Sequence, residues 1–150
     1  MEFLAEIHSK LIHFPIALLV IYPFIELLFF ITDKEYFNKT SFLFLSVGVV
    51  SSFFAVLSGN QAFETINNWS DASKQIFEEH QFYANLTVWF FTALLVIKFI
   101  VFKKYSSKRI IALIFFLVSL LGLIAVYQTG HYGGLLSKEV ILDTGTLTKN

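Results

Sequence analysis

A chain of 150 residues has the size of one domain, yet 56% of it is hydrophobic, 19 residues are phenylalanine and the mean hydropathy is +0.69, which excludes an ordinary water-soluble domain. Eleven basic residues balance eleven acidic ones, leaving no basic footprint for nucleic acid. With no cysteine and methionine only at position 1, disulfides, covalently attached c-type haem and soft-metal thiolate sites are also excluded.

Residues 1–6 are acidic rather than basic and no small-residue cleavage site closes the first apolar run, so no cleavable signal is expected and Met1 is retained. The first apolar span covers 11–31, and its helix is expected to begin within 6–10, above the lipid, and to run inward through His13. Pro15 in the first turn costs little, whereas Pro23 in mid-span removes a backbone bond and should bend the helix. The second span, 42–57, carries Gly48, Ser51, Ser52, Ala55, Ser58 and Gly59 at spacings that gather them on one face. In a membrane such a face serves close helix packing, or else lies beside a flat cofactor.

The loop of about 60–80 is expected to carry a short amphipathic helix on the membrane surface, built on Ala62, Phe63, Ile66 and Trp69. Ser70 reads as the N-cap of a third helix that projects above the lipid, with His80 in its last exterior turns, and then crosses as the span 82–102. The fourth span, 110–127, is expected to end at Tyr127, broken by Gly130, Gly133 and Gly134. Residues 135–150 then form an exterior tail, with a strand over 139–142.

Lipid offers no hydrogen-bonding partner to the backbone, so each long apolar run must be a helix. The loops after the first and third spans carry Lys34, Lys39, Lys103, Lys104, Lys108 and Arg109, whereas 60–79 holds one lysine against Glu64, Asp71, Glu78 and Glu79. The positive-inside rule therefore predicts an all-α, up-and-down, integral membrane four-helix bundle over residues 1–134 with both termini outside.

All four histidines, His8, His13, His80 and His131, fall at the outward ends of these spans. Neutral imidazole is the commonest metal ligand and the usual axial ligand of b-type haem, and without cysteine the site is imidazole alone or imidazole with Glu78 or Glu79. Bis-histidine ligation needs backbones farther apart than adjacent helices, which favours His13 and His80 on the diagonal first and third helices. His8 lies about 140° around a helix from His13, so the two cannot share a centre unless the helix breaks, and His8 is left to pair with His131. One or two b haems are thus expected. Glu26 and Lys98 lie within the spans, nearer the cytoplasmic end, and are expected to neutralise each other across the diagonal, with a proton or quinol role for Glu26 as the alternative. No nucleophile triad, phosphate-binding glycine loop or catalytic carboxylate pair is present.

The runs His8-Ser-Lys-Leu-Ile-His13-Phe-Pro-Ile-Ala-Leu-Leu19, His80-Gln-Phe-Tyr-Ala-Asn85 and Thr129-Gly-His131-Tyr-Gly-Gly134 resemble those of domain-of-unknown-function family 2231, bacterial four-helix membrane proteins with His-Phe-Pro-Ile-Ala and Gly-His-x-Gly-Gly signatures. The chain departs from the family pattern at Ser9, where proline is usual, and after Gly134, where a Val-Tyr continuation is expected. The resemblance implies a bacterial inner-membrane protein that works beside respiratory components such as a c-type cytochrome. Three functions follow as expectations: a haem b electron-transfer subunit rather than a stand-alone enzyme, with its histidines on the periplasmic side; a structural subunit of a larger respiratory complex; and a histidine-ligated copper or zinc site.

Overall fold

The computed structural model describes residues 2–64, 70–104 and 109–147. Five helices follow one another: α1 (Glu2–Leu11), α2 (His13–Thr32), α3 (Glu35–Glu64), α4 (Asp71–Lys104) and α5 (Arg109–Leu147), with no strand among the described residues. Four stretches, Ile7–Thr32, Glu35–Phe63, Asp71–Phe102 and Arg109–Glu139, are long and apolar enough to cross a membrane. α2 packs on α3 and α5, and α4 packs on the same two helices, so α2 and α4 face each other across the diagonal of an up-and-down bundle while α1 lies on α3.

The break between α1 and α2 has a single cause. Pro15 has no N–H to give the Leu11 carbonyl, and its ring crowds that same carbonyl, so the regular helix is interrupted at Ile12. The chain nevertheless turns on, with Ile12 N donating to His8 O at 3.1 Å and Ile16 N to Ile12 O at 3.3 Å. Pro23 lies buried inside the continuous helix α2. At the far end of α2, Asp33 takes a left-handed conformation (φ 56°) and donates its N–H to Phe29 O at 2.9 Å. Arg109, opening α5, donates to the Phe30 and Ile31 carbonyls at 2.8 and 3.0 Å, a cation on the negative end of the α2 dipole.

Inside the bundle, Leu19 and Tyr22 from α2, Leu45 and Val49 from α3, Phe91 and Leu94 from α4, and Phe115 and Val126 from α5 form the core. The outer faces are equally apolar: Phe24, Phe54, Trp89 and Ile124 are all exposed. That pattern is wrong for water and right for lipid, where the outer surface has no reason to be polar. Gly48 lets α2 and α3 come close, since a Cβ there would stand 2.8 Å from Leu19 Cδ2.

Three expectations change. The fourth membrane helix does not end at Tyr127: α5 runs on through Gly130, Gly133 and Gly134, none with positive φ, to Leu147, so residues 139–142 are helix and not strand. Glycine costs a helix only about 1 kcal/mol relative to alanine, too little to stop one whose backbone bonds are otherwise complete. Ala62 and Phe63 belong to the last turn of α3 rather than to a separate surface helix, and Ile66 and Trp69 lie outside the described residues. Ser70 does cap α4, its Oγ accepting from Ser73 N at 3.1 Å.

Candidate functional site

α1 lies against α3, and this positions His8. Its imidazole is half-buried on Gly59, where an added Cβ would sit 2.9 Å from His8 Cε1. His8 Nδ1 lies 2.8 Å from Ser58 Oγ, and that hydroxyl gives its own proton to the Ala55 carbonyl at 2.9 Å. The Ser58 oxygen therefore accepts, His8 Nδ1 donates, and the lone pair of the ring is on Nε2.

His80 is seated on a glycine of the other helix pair. It rises from the first turns of α4 onto α5, where Gly133 leaves room for it: a Cβ there would meet His80 Cε1 at 3.1 Å. Its Nδ1 is 3.0 Å from the Thr129 carbonyl, which can only accept, so Nδ1 again carries the proton and Nε2 the lone pair. Thr129 is held in turn, its hydroxyl donating to Ala125 O at 2.9 Å and accepting from Thr87 at 3.3 Å.

The two seats adjoin. His8 and His80 are close enough for their charges to interact, and Gln81 Nε2 reaches Asn60 Oδ1 at 3.4 Å between α4 and α3 beside them. The hydrogen bonds of both rings run through Nδ1, with the Ala55 carbonyl a further acceptor beside His8; Nε2 of His8 faces Gly59, whereas that of His80 lies away from Gly133. Histidines that bind metals are prepared in this manner, one ring nitrogen fixed by a protein acceptor and the other left to coordinate.

Bundle geometry alone suggests His13 beside His80; among the described residues the histidine that interacts electrostatically with His80 is His8, on α1, which packs on α3. His13 opens α2 and is exposed. His131 is also exposed, stacked on Tyr127 (ring centroids 6.2 Å apart, planes at 13°) in the wall of a lateral groove between α2 and α5. Glu78 and Glu79 are exposed, and among the described residues no three histidine or acidic side chains converge as a metal-binding group. The small face of α3 is divided in use: Gly48 serves packing, Ser51 and Ser52 return their hydroxyls to the Val47 and Gly48 carbonyls, and Ser58 with Gly59 seats His8. Ser58 and Thr129, the orienting partners, are not identifiable as such from spacing.

The opposite half of the bundle holds a second polar cluster. Lys98 on α4 meets Glu26 on α2 across the diagonal at 2.5 Å and also reaches Asn38 Oδ1 at 3.3 Å, all three buried. Its ammonium stands 5.0 Å from the centre of the Phe115 ring. Tyr22, one turn before Glu26, interacts with the same carboxylate, although its hydroxyl and Glu26 Oε2 have no hydrogen bond of ordinary geometry. Asn38 lies in a polar stretch at the start of α3 and carries no sequence signal that marks it as the third member.

A family model, that of a predicted membrane protein (DUF2231), matches residues 5–145, which include all four histidines, Glu26 and Lys98. No curated protein and no solved structure matches the chain. With the matched region taking in every helix that forms the bundle, the chain belongs to the DUF2231 family of membrane proteins.

Proposed function

We propose that His8 and His80 would hold one b-type haem and that the protein is an electron-transfer subunit of a membrane redox system. The observation that carries this reading is the donor set: two imidazoles that interact electrostatically, each with Nδ1 donated to an acceptor, and no third convergent ligand among the described residues. A structural zinc site takes four protein ligands and a catalytic one three, whereas a haem needs two because the porphyrin supplies the rest. When bound, the haem supplies one-electron redox chemistry. The chain's own part is to fix the imidazole planes through Ser58 and Thr129, to raise their donor strength through the Nδ1 hydrogen bonds, and to close the interior with the apolar core below.

Lys34, Lys39 and Arg109 lie at the end of the bundle opposite the histidines, so the positive-inside rule supports an outward, periplasmic haem in a bacterial inner membrane and an exterior acceptor such as a c-type cytochrome. Protein purified from haem-replete cells is expected to show Soret and α bands in its reduced-minus-oxidised spectrum and one haem per chain by pyridine haemochrome. His8→Ala and His80→Ala should each abolish the low-spin spectrum, while His13→Ala should keep it. A colourless, folded preparation overturns the reading, as does copper or zinc bound without porphyrin.

A further inference from the structure

The lateral groove between α2 and α5 has a volume of about 380 Å³ and opens on the lipid-facing side of the bundle. Ile16, Val20, Leu123 and Val126 make its length apolar, while Tyr127, Gly130 and His131, all exposed, line it at the histidine end. His13 stands one turn before Ile16 on the same face of α2, with Val20 the next position along, so a second imidazole lies toward that end. At Gly130 the wall is open, since a Cβ there would meet nothing within 4 Å.

We infer that this groove binds a lipid-soluble para-quinone, with its ring beside His131, Tyr127 and Gly130 and its isoprenoid tail along Ile16, Val20, Leu123 and Val126. The polarity of the groove is graded in the order of that molecule, a flat polar ring followed by an apolar tail that lies in the lipid. An acyl chain has no use for an imidazole or a flat aromatic wall, whereas a quinone oxygen takes a hydrogen bond from imidazole N–H and its ring stacks on tyrosine. Pockets for small ligands have this composition, apolar walls with a few convergent polar groups.

The groove is also joined to the histidine pair by ring contacts. His131 meets Tyr132 edge-on at 5.4 Å, Tyr132 stacks on Tyr83 at 5.5 Å, and Gly133, the residue after Tyr132, is the seat of His80. What the quinone would serve rests on the haem reading above; the binding itself does not.

Gly130→Leu separates the possibilities, because the site has space for the side chain and the change favours the helix, so the variant should fold. Decylubiquinone in equilibrium dialysis against the purified, detergent-solubilised protein is expected to bind saturably at one per chain. Gly130→Leu should reduce that affinity at least about thirtyfold by filling the groove, and His131→Leu about tenfold by removing one hydrogen bond. Decylbenzene, which has the tail and no quinone oxygens, should not compete. Unsaturable partition, affinity unchanged in both variants, or equal competition by decylbenzene, meaning an acyl-chain groove only, would each overturn the inference. The haem spectrum of the same samples is an independent readout: its absence removes the haem reading and leaves quinone binding to stand or fall on the dialysis.

Discussion

Glu26 and Lys98 close on each other at one end of the bundle, with Asn38 accepting a further hydrogen bond from the ammonium, whereas His8 and His80 at the other end are each held by an Nδ1 hydrogen bond that leaves the lone pair on Nε2. Both pairs bring together residues far apart in sequence, the ion pair fully buried and the imidazoles half-buried. They differ in what remains unused. A buried ion pair is a structural element that is expensive to break, and here Glu26 Oε2 and the Tyr22 hydroxyl are the groups left without a hydrogen bond of ordinary geometry. Two imidazoles with oriented lone pairs have capacity left over, which marks a site rather than a brace.

The comparison is broken most directly at the lysine end. Lys98→Met leaves the Glu26 carboxylate buried without its counter-charge and should lower stability by about 3–5 kcal/mol, seen as early loss of helical circular dichroism on heating in detergent. The double change Glu26→Leu with Lys98→Met should recover most of that loss, since an apolar pair of similar volume replaces both charges. If the double variant is no better than the single one, the pair does more than neutralise itself.

Changes at the histidine end should be smaller in stability and larger in ligand binding. Gly59→Ala puts a methyl 2.9 Å from His8 Cε1 and must push the ring off its seat, at a cost of about 1–3 kcal/mol from overpacking and with loss of haem or metal retained through purification. Gly133→Ala, at 3.1 Å from His80, should act in the same direction and more weakly. Ser58→Ala removes the acceptor of His8 Nδ1–H, for which about 1 kcal/mol and a weaker bound cofactor are expected, while Ser58→Thr keeps the hydroxyl and should restore the affinity. Unchanged retention in Ser58→Ala would mean that its hydroxyl does not orient the ligand. The smallest effect has the opposite sign. Gly134→Ala meets no neighbour and should stabilise α5 by up to about 1 kcal/mol, a control showing that the losses at Gly59 and Gly133 come from the imidazoles and not from the backbone.

Much of the architecture is legible in the residue order because lipid simplifies the problem. Runs of apolar residues long enough to cross must be helices, and this makes 11–31, 42–57, 82–102 and 110–127 readable as four spans. Ser70 is readable as a cap because its role is local. The glycines after Tyr127 mislead for the opposite reason: a preference of about 1 kcal/mol is read as a stop signal, although α5 retains its hydrogen bonds and the space at Gly133 is used by another helix. The proline at position 15 carries the information that the helix is interrupted between α1 and α2, but a count of residues per turn does not say that His8 is seated on Gly59 of α3.

By itself the sequence determined the membrane setting, the number of spans, the concentration of histidines at one end and the presence of opposite charges, Glu26 and Lys98, within the apolar spans. These are properties of composition and spacing along one dimension. Only the tertiary structure decided that His8 interacts with His80, that Ser58 and Thr129 set both tautomers, and that His131 belongs to a lateral groove. Those outcomes depend on how each helix is rotated about its axis and on where a glycine lets a ring sink into its neighbour, and neither is encoded in the spacing of residues within a single helix.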